Sequence, residues 1–175
     1  MFAIETMSKA KLTEVAVLSQ KNRDPGDNPG VALSFSMVVP NGHLSMFDGS
    51  LRHFLYTKSE ASSDADQGRL DVEVEDLPNL TPAGAKLGKL HWDQELTGYG
   101  LVIDYGTGGK SNVEIEDCIL SGFTFVPKEG GSVVMDFKLE SQDVSEKVFG
   151  KLATLKNLEV QITLAEPEVD EGPIQ

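Results

Sequence analysis

One cysteine, one tryptophan and three histidines are all that 175 residues supply of the side chains that most often do redox, metal or stacking chemistry. A single Cys118 excludes an internal disulfide and any cysteine-rich metal cluster. Within Glu116-Asp117-Cys118-Ile119 it reads as a small strand residue, not a nucleophile. His43, His53 and His91 lack metal-ligand spacing, and no Ser or Cys stands in a nucleophile motif. Long apolar runs are missing too: none approaches the ~20 residues that span a bilayer. Met1-Phe2-Ala3-Ile4-Glu5 lacks the basic start and apolar stretch of a secretory signal. These absences predict a non-enzymatic protein with no cofactor or metal, away from the membrane, in the cytoplasm.

Basic residues are also scarce, 15 Lys and Arg against 28 Asp and Glu, which leaves a formal charge of −13. The excess is concentrated. Residues 59–76 hold Glu60, Asp64, Asp66, Asp71, Glu73, Glu75 and Asp76 against Arg69 alone, and residues 165–175 hold Glu166, Glu168, Asp170 and Glu171 with no base. Outside those two stretches the chain is nearly neutral. Acid in this amount opposes wrapping by a phosphate backbone, while a local basic face remains compatible with it.

What is present is a pattern that occurs twice. Leu12 to Val17, Val31 to Met37, a helical run through Leu51 and Phe54, and Leu70 to Val74 make one copy. Leu120 to Phe125, Val133 to Leu139, a helical run through Leu152 and Leu155, and Leu158 to Ile162 make the other. The expected fold is α+β and β-rich, with mostly antiparallel sheet and two short helices, from a duplicated strand-strand-helix-strand unit. One domain spans 1–164, with copy one at about 11–76, a connecting hairpin at about 86–116 turning at Leu96-Thr97-Gly98, and copy two at about 118–164. A flexible acidic tail follows at 165–175.

Local signals refine this. Leu44, Phe47, Leu51, Phe54 and Leu55 share one face of a helix ending near Tyr56, with Gly49 as its weak point. Ser59 to Gly68 predicts a loop, and Asp71, Glu73 and Glu75 line the wet face of the strand after it. Pro127-Lys128-Glu129-Gly130-Gly131 predicts a tight turn. Asp143 is the expected N-cap of the second helix, with Glu146 completing a capping box.

Three stretches resemble functional motifs. Gly106 to Ser111 ends in the Gly-Lys-Ser of a phosphate-binding loop, but the earlier glycine of that motif falls on Asp104 and a strand follows instead of a helix. A glycine-rich turn explains it better. Glu114 with Glu116, or Asp71 with Glu73, would suit a hard cation or acid-base work, yet without other ligands a solvated strand face is the simpler reading. Trp92, in His91-Trp92-Asp93, is either a half-buried core residue or an anchor for a partner or a base.

Lys86 to Asp93, Gly98-Tyr99, Ile103 to Gly106, Gly108 to Asn112 and Pro127 to Val134, with the opening Met1 to Leu12, resemble a family of small acidic proteins of tailed bacteriophages and prophages. The resemblance covers nearly the whole chain and carries no functional residues. It implies a protein made in a bacterial host cell, in the company of nucleic-acid-handling genes.

Three functions fit. The first is an acidic binding protein that engages a basic surface on host nucleic-acid or defence machinery, as a DNA mimic or anti-CRISPR-like inhibitor, through the acids of 59–76 and the tail. The second is a replication or recombination accessory that binds single-stranded DNA and recruits partners with its tail. The third is a clamp-like scaffold. An unpaired sheet edge would favour a homodimer.

Overall fold

The computed structural model describes residues 1–19, 23–58, 77–106 and 109–168. Alternating apolar and polar residues produce the main strands: β1 (Ile4–Val17), β2 (Val31–Pro40), β6 (Leu96–Asp104), β7 (Val113–Lys128), β8 (Ser132–Ser141) and β9 (Glu159–Ala165). Burial follows the pleat, so that in β2 Val31, Leu33, Phe35, Met37 and Val39 are buried and the residues between them are not. Short elements lie between: a 3-10 helix (Asn41–Met46), α1 (Leu51–Leu55), β3 (Tyr56–Thr57), β4 (Asn79–Leu80), α2 (Gly84–Leu87) and β5 (Leu90–Trp92). A longer helix, α3 (Glu146–Leu155), joins β8 to β9.

Six of the strands run in the order β7-β6-β9-β1-β2-β8, and β8 pairs back with β7, which closes a barrel. The β-rich α+β expectation is met in this form. Closure satisfies the edges inside the ring; β5 is added beside β7, and β3 and β4 form a separate ribbon. A ring this small is filled by its own side chains. Leu12, Leu33, Leu101, Ile103, Leu120, Phe137, Leu139 and Ile162 are each at most 1% exposed.

The chain divides into two compact units. The first comprises 1–2, 38–92 and 124–135; the second comprises 3–37, 93–123 and 136–175. In the second unit the strands are bent by bulges. Tyr99 pairs with Cys118 and Leu101 with Ile115, so β7 carries an extra residue there, and Asp117 takes the left-handed φ of 52° that this demands. Between Leu96 and Tyr99 the extra residue is on β6, at Gly98 with φ 78°. The turn expected at Leu96-Thr97-Gly98 is therefore a bulge inside one strand, and β6 forms its hairpin with β7. Glycine and a tight turn share the same sequence signal, and neighbouring strand pairing decides between them.

The elements expected at about 118–164 appear as β7, β8, α3 and β9, with β7 starting earlier, at Val113, so that it runs on from the end of the expected connecting hairpin. Of the elements expected at about 11–76, β1, β2 and α1 are observed, and the strand expected over 70–74 lies outside the described residues. The first helix is shorter than its periodicity suggested. It breaks into a 3-10 turn ending at Met46 and α1 starting at Leu51, with Asp48 and Gly49 between them. Asp48 accepts from the backbone and the hydroxyl of Ser50, a local bond that competes with helix continuation.

Asn41 is buried and organises the first unit. It donates to Leu77 O at 2.7 Å, accepts from Arg52 Nε at 2.9 Å, and its backbone N–H reaches Gly131 O at 2.8 Å. Tyr56 has a similar part. Its hydroxyl accepts from Lys128 N–H at 3.0 Å and lies 2.7 Å from Ser132 O and 3.0 Å from Lys128 O, which holds both strands where the predicted turn at 127–131 reverses them. Burial pushes the phenol's pKa up. Tyr56→Phe leaves those groups without the hydroxyl and is expected to cost about 1–3 kcal/mol in urea unfolding. A change below about 0.5 kcal/mol would mean that the hydroxyl holds nothing the rest of the turn does not.

Candidate functional site

The second unit contains an open groove of about 570 Å³ whose lining is acidic. The β7–β8 hairpin creates it by returning the end of β8 beside the start of β7. Glu114, Glu116 and Asp117 come from β7, while Ser141, Gln142, Asp143, Val144, Ser145 and Val148 come from the end of β8 and the first turn of α3. No Lys, Arg or His is among these lining residues. The floor is apolar or small: Ile115, Val144 and Ser141 are buried, whereas Glu114, Glu116, Asp117 and Asp143 are exposed.

Each carboxylate has a positional cause. Glu114 and Glu116 share a face of β7 because side chains there alternate. Asp117 is turned out by the bulge that its own φ creates. Asp143 accepts from Asn28 Nδ2 at 2.8 Å, and next to it Val144 N–H donates to Pro29 O at 3.0 Å, so the loop before β2 steadies this wall. The predicted cap is displaced by two residues. Ser145, not Asp143, caps α3, its Oγ accepting from Val148 N–H at 3.3 Å. Asp143, bonded to Asn28, and Glu146 still lie at the N-terminal end of α3.

A second, smaller groove of about 450 Å³ lies where β1 and β9 fall out of register, between the pairs Ile4–Leu164 and Ser8–Ile162. Glu5 and Glu166 are on its rim. Among the described residues no three His, Cys, Asp or Glu side chains are placed to hold a metal ion. No helix among them is long and apolar enough to cross a membrane.

Of the acids singled out in the sequence, Glu166 and Glu168 are exposed at the end of β9. Glu60, Asp64, Asp66, Asp71, Glu73, Glu75, Asp76, Asp170 and Glu171 lie outside the described residues. Trp92 is half-buried at the end of β5, edge-on to Phe47 with centroids 6.4 Å apart, and Phe47 in turn packs on Phe2 at 5.0 Å and Phe125 at 4.9 Å. It belongs to an aromatic cluster of the first unit. The groove acids were visible in sequence only as the Glu114/Glu116 alternation. Asp143 joins them across 26 residues of hairpin, and hairpin register is the one signal that would have found it.

Of the glycine-rich turn expected at 106–111, residues 107 and 108 lie outside the described residues; Gly109–Ser111 is a short 3-10 helix, strand β7 follows from Val113, and Lys151 Nζ donates to Ser111 O at 2.9 Å. No protein-family model matches the chain, and neither a curated protein nor a solved structure matches it.

Proposed function

We propose that this is a phage-encoded, non-enzymatic binding protein, acting in the host cytoplasm, that uses acidic surface to engage a basic region of a host nucleic-acid-handling or defence protein. The observation that carries the reading is the β7–β8–α3 groove, with four exposed carboxylates and no basic residue in its lining. Its surroundings have the same sign. Among the described residues of the second unit there are 17 Asp and Glu against eight Lys and Arg. A concave acidic surface on a rigid hairpin gives a basic partner complementary charge and a preformed shape, which raises encounter rates and specificity more than raw affinity. The acids of 59–76 and of the tail extend the negative charge along the chain. The scaffold itself is read as a duplicated strand-strand-helix-strand unit, because β1–β2 and β7–β8 are both hairpins and each is followed in the chain by a helix, α1 or α3.

The test is capture of host proteins by the immobilised full chain and by two neutralised variants. Glu114→Gln/Glu116→Gln/Asp143→Asn removes the groove charge; Asp24→Asn/Glu95→Gln/Glu159→Gln removes the same charge elsewhere. The partner is expected to be retained by the wild type and the second variant, and weakened about tenfold or more in the first. Equal retention by all three would end the groove reading. Equal loss would reduce it to net charge.

A further inference from the structure

Two segments of the first unit, one on each side of the acidic stretch 59–76, are basic. Residues 49–58 and 77–92 contain no Asp or Glu, in a chain with 28 of them, and they supply Arg52, Lys58, Lys86 and Lys89 together with His53 and His91. These segments form α1, the β3–β4 ribbon, α2 and β5. The two helices are in backbone contact. A side chain at Gly84 would run into the carbonyl of Leu55, so only glycine permits the approach. Thr81 fastens it, donating to Phe54 O at 2.7 Å and accepting from Gly84 N–H at 3.0 Å. On this helix pair two large apolar side chains face solvent, Phe54 at 54% and Leu87 at 41% exposure. His53, Lys86, Lys89 and His91 are exposed as well.

We infer that this α1–α2–β5 face binds single-stranded nucleic acid without sequence preference. The argument is one of charge complementarity and ring chemistry, and it goes beyond the acidic-groove reading because it concerns the other unit. Lys86 and Lys89, with Lys58 and Arg52 from the segment before 59–76, supply positive charge for backbone phosphates. The exposed Phe54 ring offers a flat apolar surface for an unpaired base, and base–aromatic stacking is tolerant of sequence. Trp92, held edge-on to Phe47, ends β5, two residues beyond Leu90. Duplex DNA has its bases stacked on one another and gives Phe54 no partner. An acidic peptide would meet the cations but not the rings.

Segregation reconciles the site with a net charge of −13. Among the described residues the first unit holds Arg52, Lys58, Lys86, Lys89 and Lys128 against Asp48 and Glu129, while the acids of 59–76 lie outside the described residues. With about four phosphate contacts the affinity for a single strand should fall with salt with a log–log slope near −3.

The experiment is fluorescence anisotropy of labelled oligo(dT) of about 20 nucleotides with the full chain at ~50 mM salt. Binding is expected for the wild type, with Lys86→Glu/Lys89→Glu weakening it at least about tenfold and Phe54→Ala about fivefold or more. Lys9→Glu/Lys11→Glu, the same charge change on β1, should keep most of the affinity. Circular dichroism of each variant checks that it is folded. Absence of binding by the wild type, or equal binding by the Phe54 and Lys86/Lys89 variants, overturns the inference. So does displacement of the oligonucleotide by polyglutamate at equal charge, which would make the occupant an acidic peptide. Partner capture by the groove is read in a separate assay, so either proposal can fail alone.

Discussion

Phe137→Ala is expected to lower the unfolding free energy by about 3–5 kcal/mol, one of the largest single-residue losses this chain offers. Phe137 lies on β8, the strand whose pairing with β7 closes the ring, and it is 1% exposed. Its ring is stacked between Phe35, with centroids 5.4 Å apart, and Phe123, at 5.9 Å. Removing it takes away the transfer free energy of a full aromatic side chain and leaves a space its two neighbours cannot both fill, because each is fixed on a different paired strand. Urea or guanidinium unfolding measures the effect as a drop in midpoint. A loss below about 1.5 kcal/mol would show that the interior collapses around the gap. Phe54→Ala is the contrast: the same deletion at a half-exposed ring should change stability by no more than about 0.5 kcal/mol. That difference is what lets Phe54 report on binding instead of folding.

How much of this was legible in the sequence depends on the range of the interaction concerned. Strands set by alternation, such as Val31 to Pro40 and Val133 to Leu139, were read close to their observed bounds, since the pleat imposes the pattern residue by residue. The turn at Glu129-Gly130-Gly131 was legible for a similar reason: both glycines take the positive φ, 89° and 85°, that the residue type announces. Features that depend on a distant partner were not. Gly98 looks the same in a turn and in a bulge, and only its neighbour β7 decides. Barrel closure depends on pairings between β8 and two strands far apart in the chain, one of them β2. Asn41 looks like a turn residue until Leu77, Arg52 and Gly131 surround it. The groove was half legible. Glu114 and Glu116 announce a common face, but Asp143 and the bulged Asp117 reach it only through hairpin register.

Charge follows the same division. Composition gave one number, and among the described residues it divides into a second unit with 17 acids against eight bases and a first unit with five bases against two acids, the acids of 59–76 lying outside them. A uniformly acidic protein would attract basic partners and repel polyanions over its whole surface. Segregated charge allows both kinds of contact on one small chain, provided that each is short-ranged compared with the screening length. This is why neutralising equal numbers of charges in different places is the informative comparison in both binding tests.

Cys118 should remain unreactive while the chain is folded and should make the fold alkali-sensitive. The thiol is 0% exposed, with its sulfur 3.4 Å from Ile115 O, to which it donates. Burial, the largest cause, pushes its pKa from 9.0 up to about 12, and the carboxylate of Asp117 next to it pushes in the same direction. The thiolate is the reactive species, so native protein at pH 8 should resist a thiol reagent that unfolded protein consumes completely. Linkage gives the sign of the pH effect. Below pH 9 the thiol keeps its proton in both states and its protonation does not alter stability. Above pH 9 the unfolded chain ionises first, and stability falls by about 1.4 kcal/mol per pH unit until the folded thiol also titrates near pH 12, a total of about 4 kcal/mol. Tyr56 and Tyr99, both raised from 10.0 by burial, add losses of the same sign above pH 10. The window between pH 9 and 10 therefore belongs to Cys118. Cys118→Ala should be less stable than the wild type at pH 8 and should lose markedly less stability between pH 8.5 and 10, measured by urea unfolding at each pH. Parallel pH profiles for the two proteins would show that the thiol is not what senses alkali.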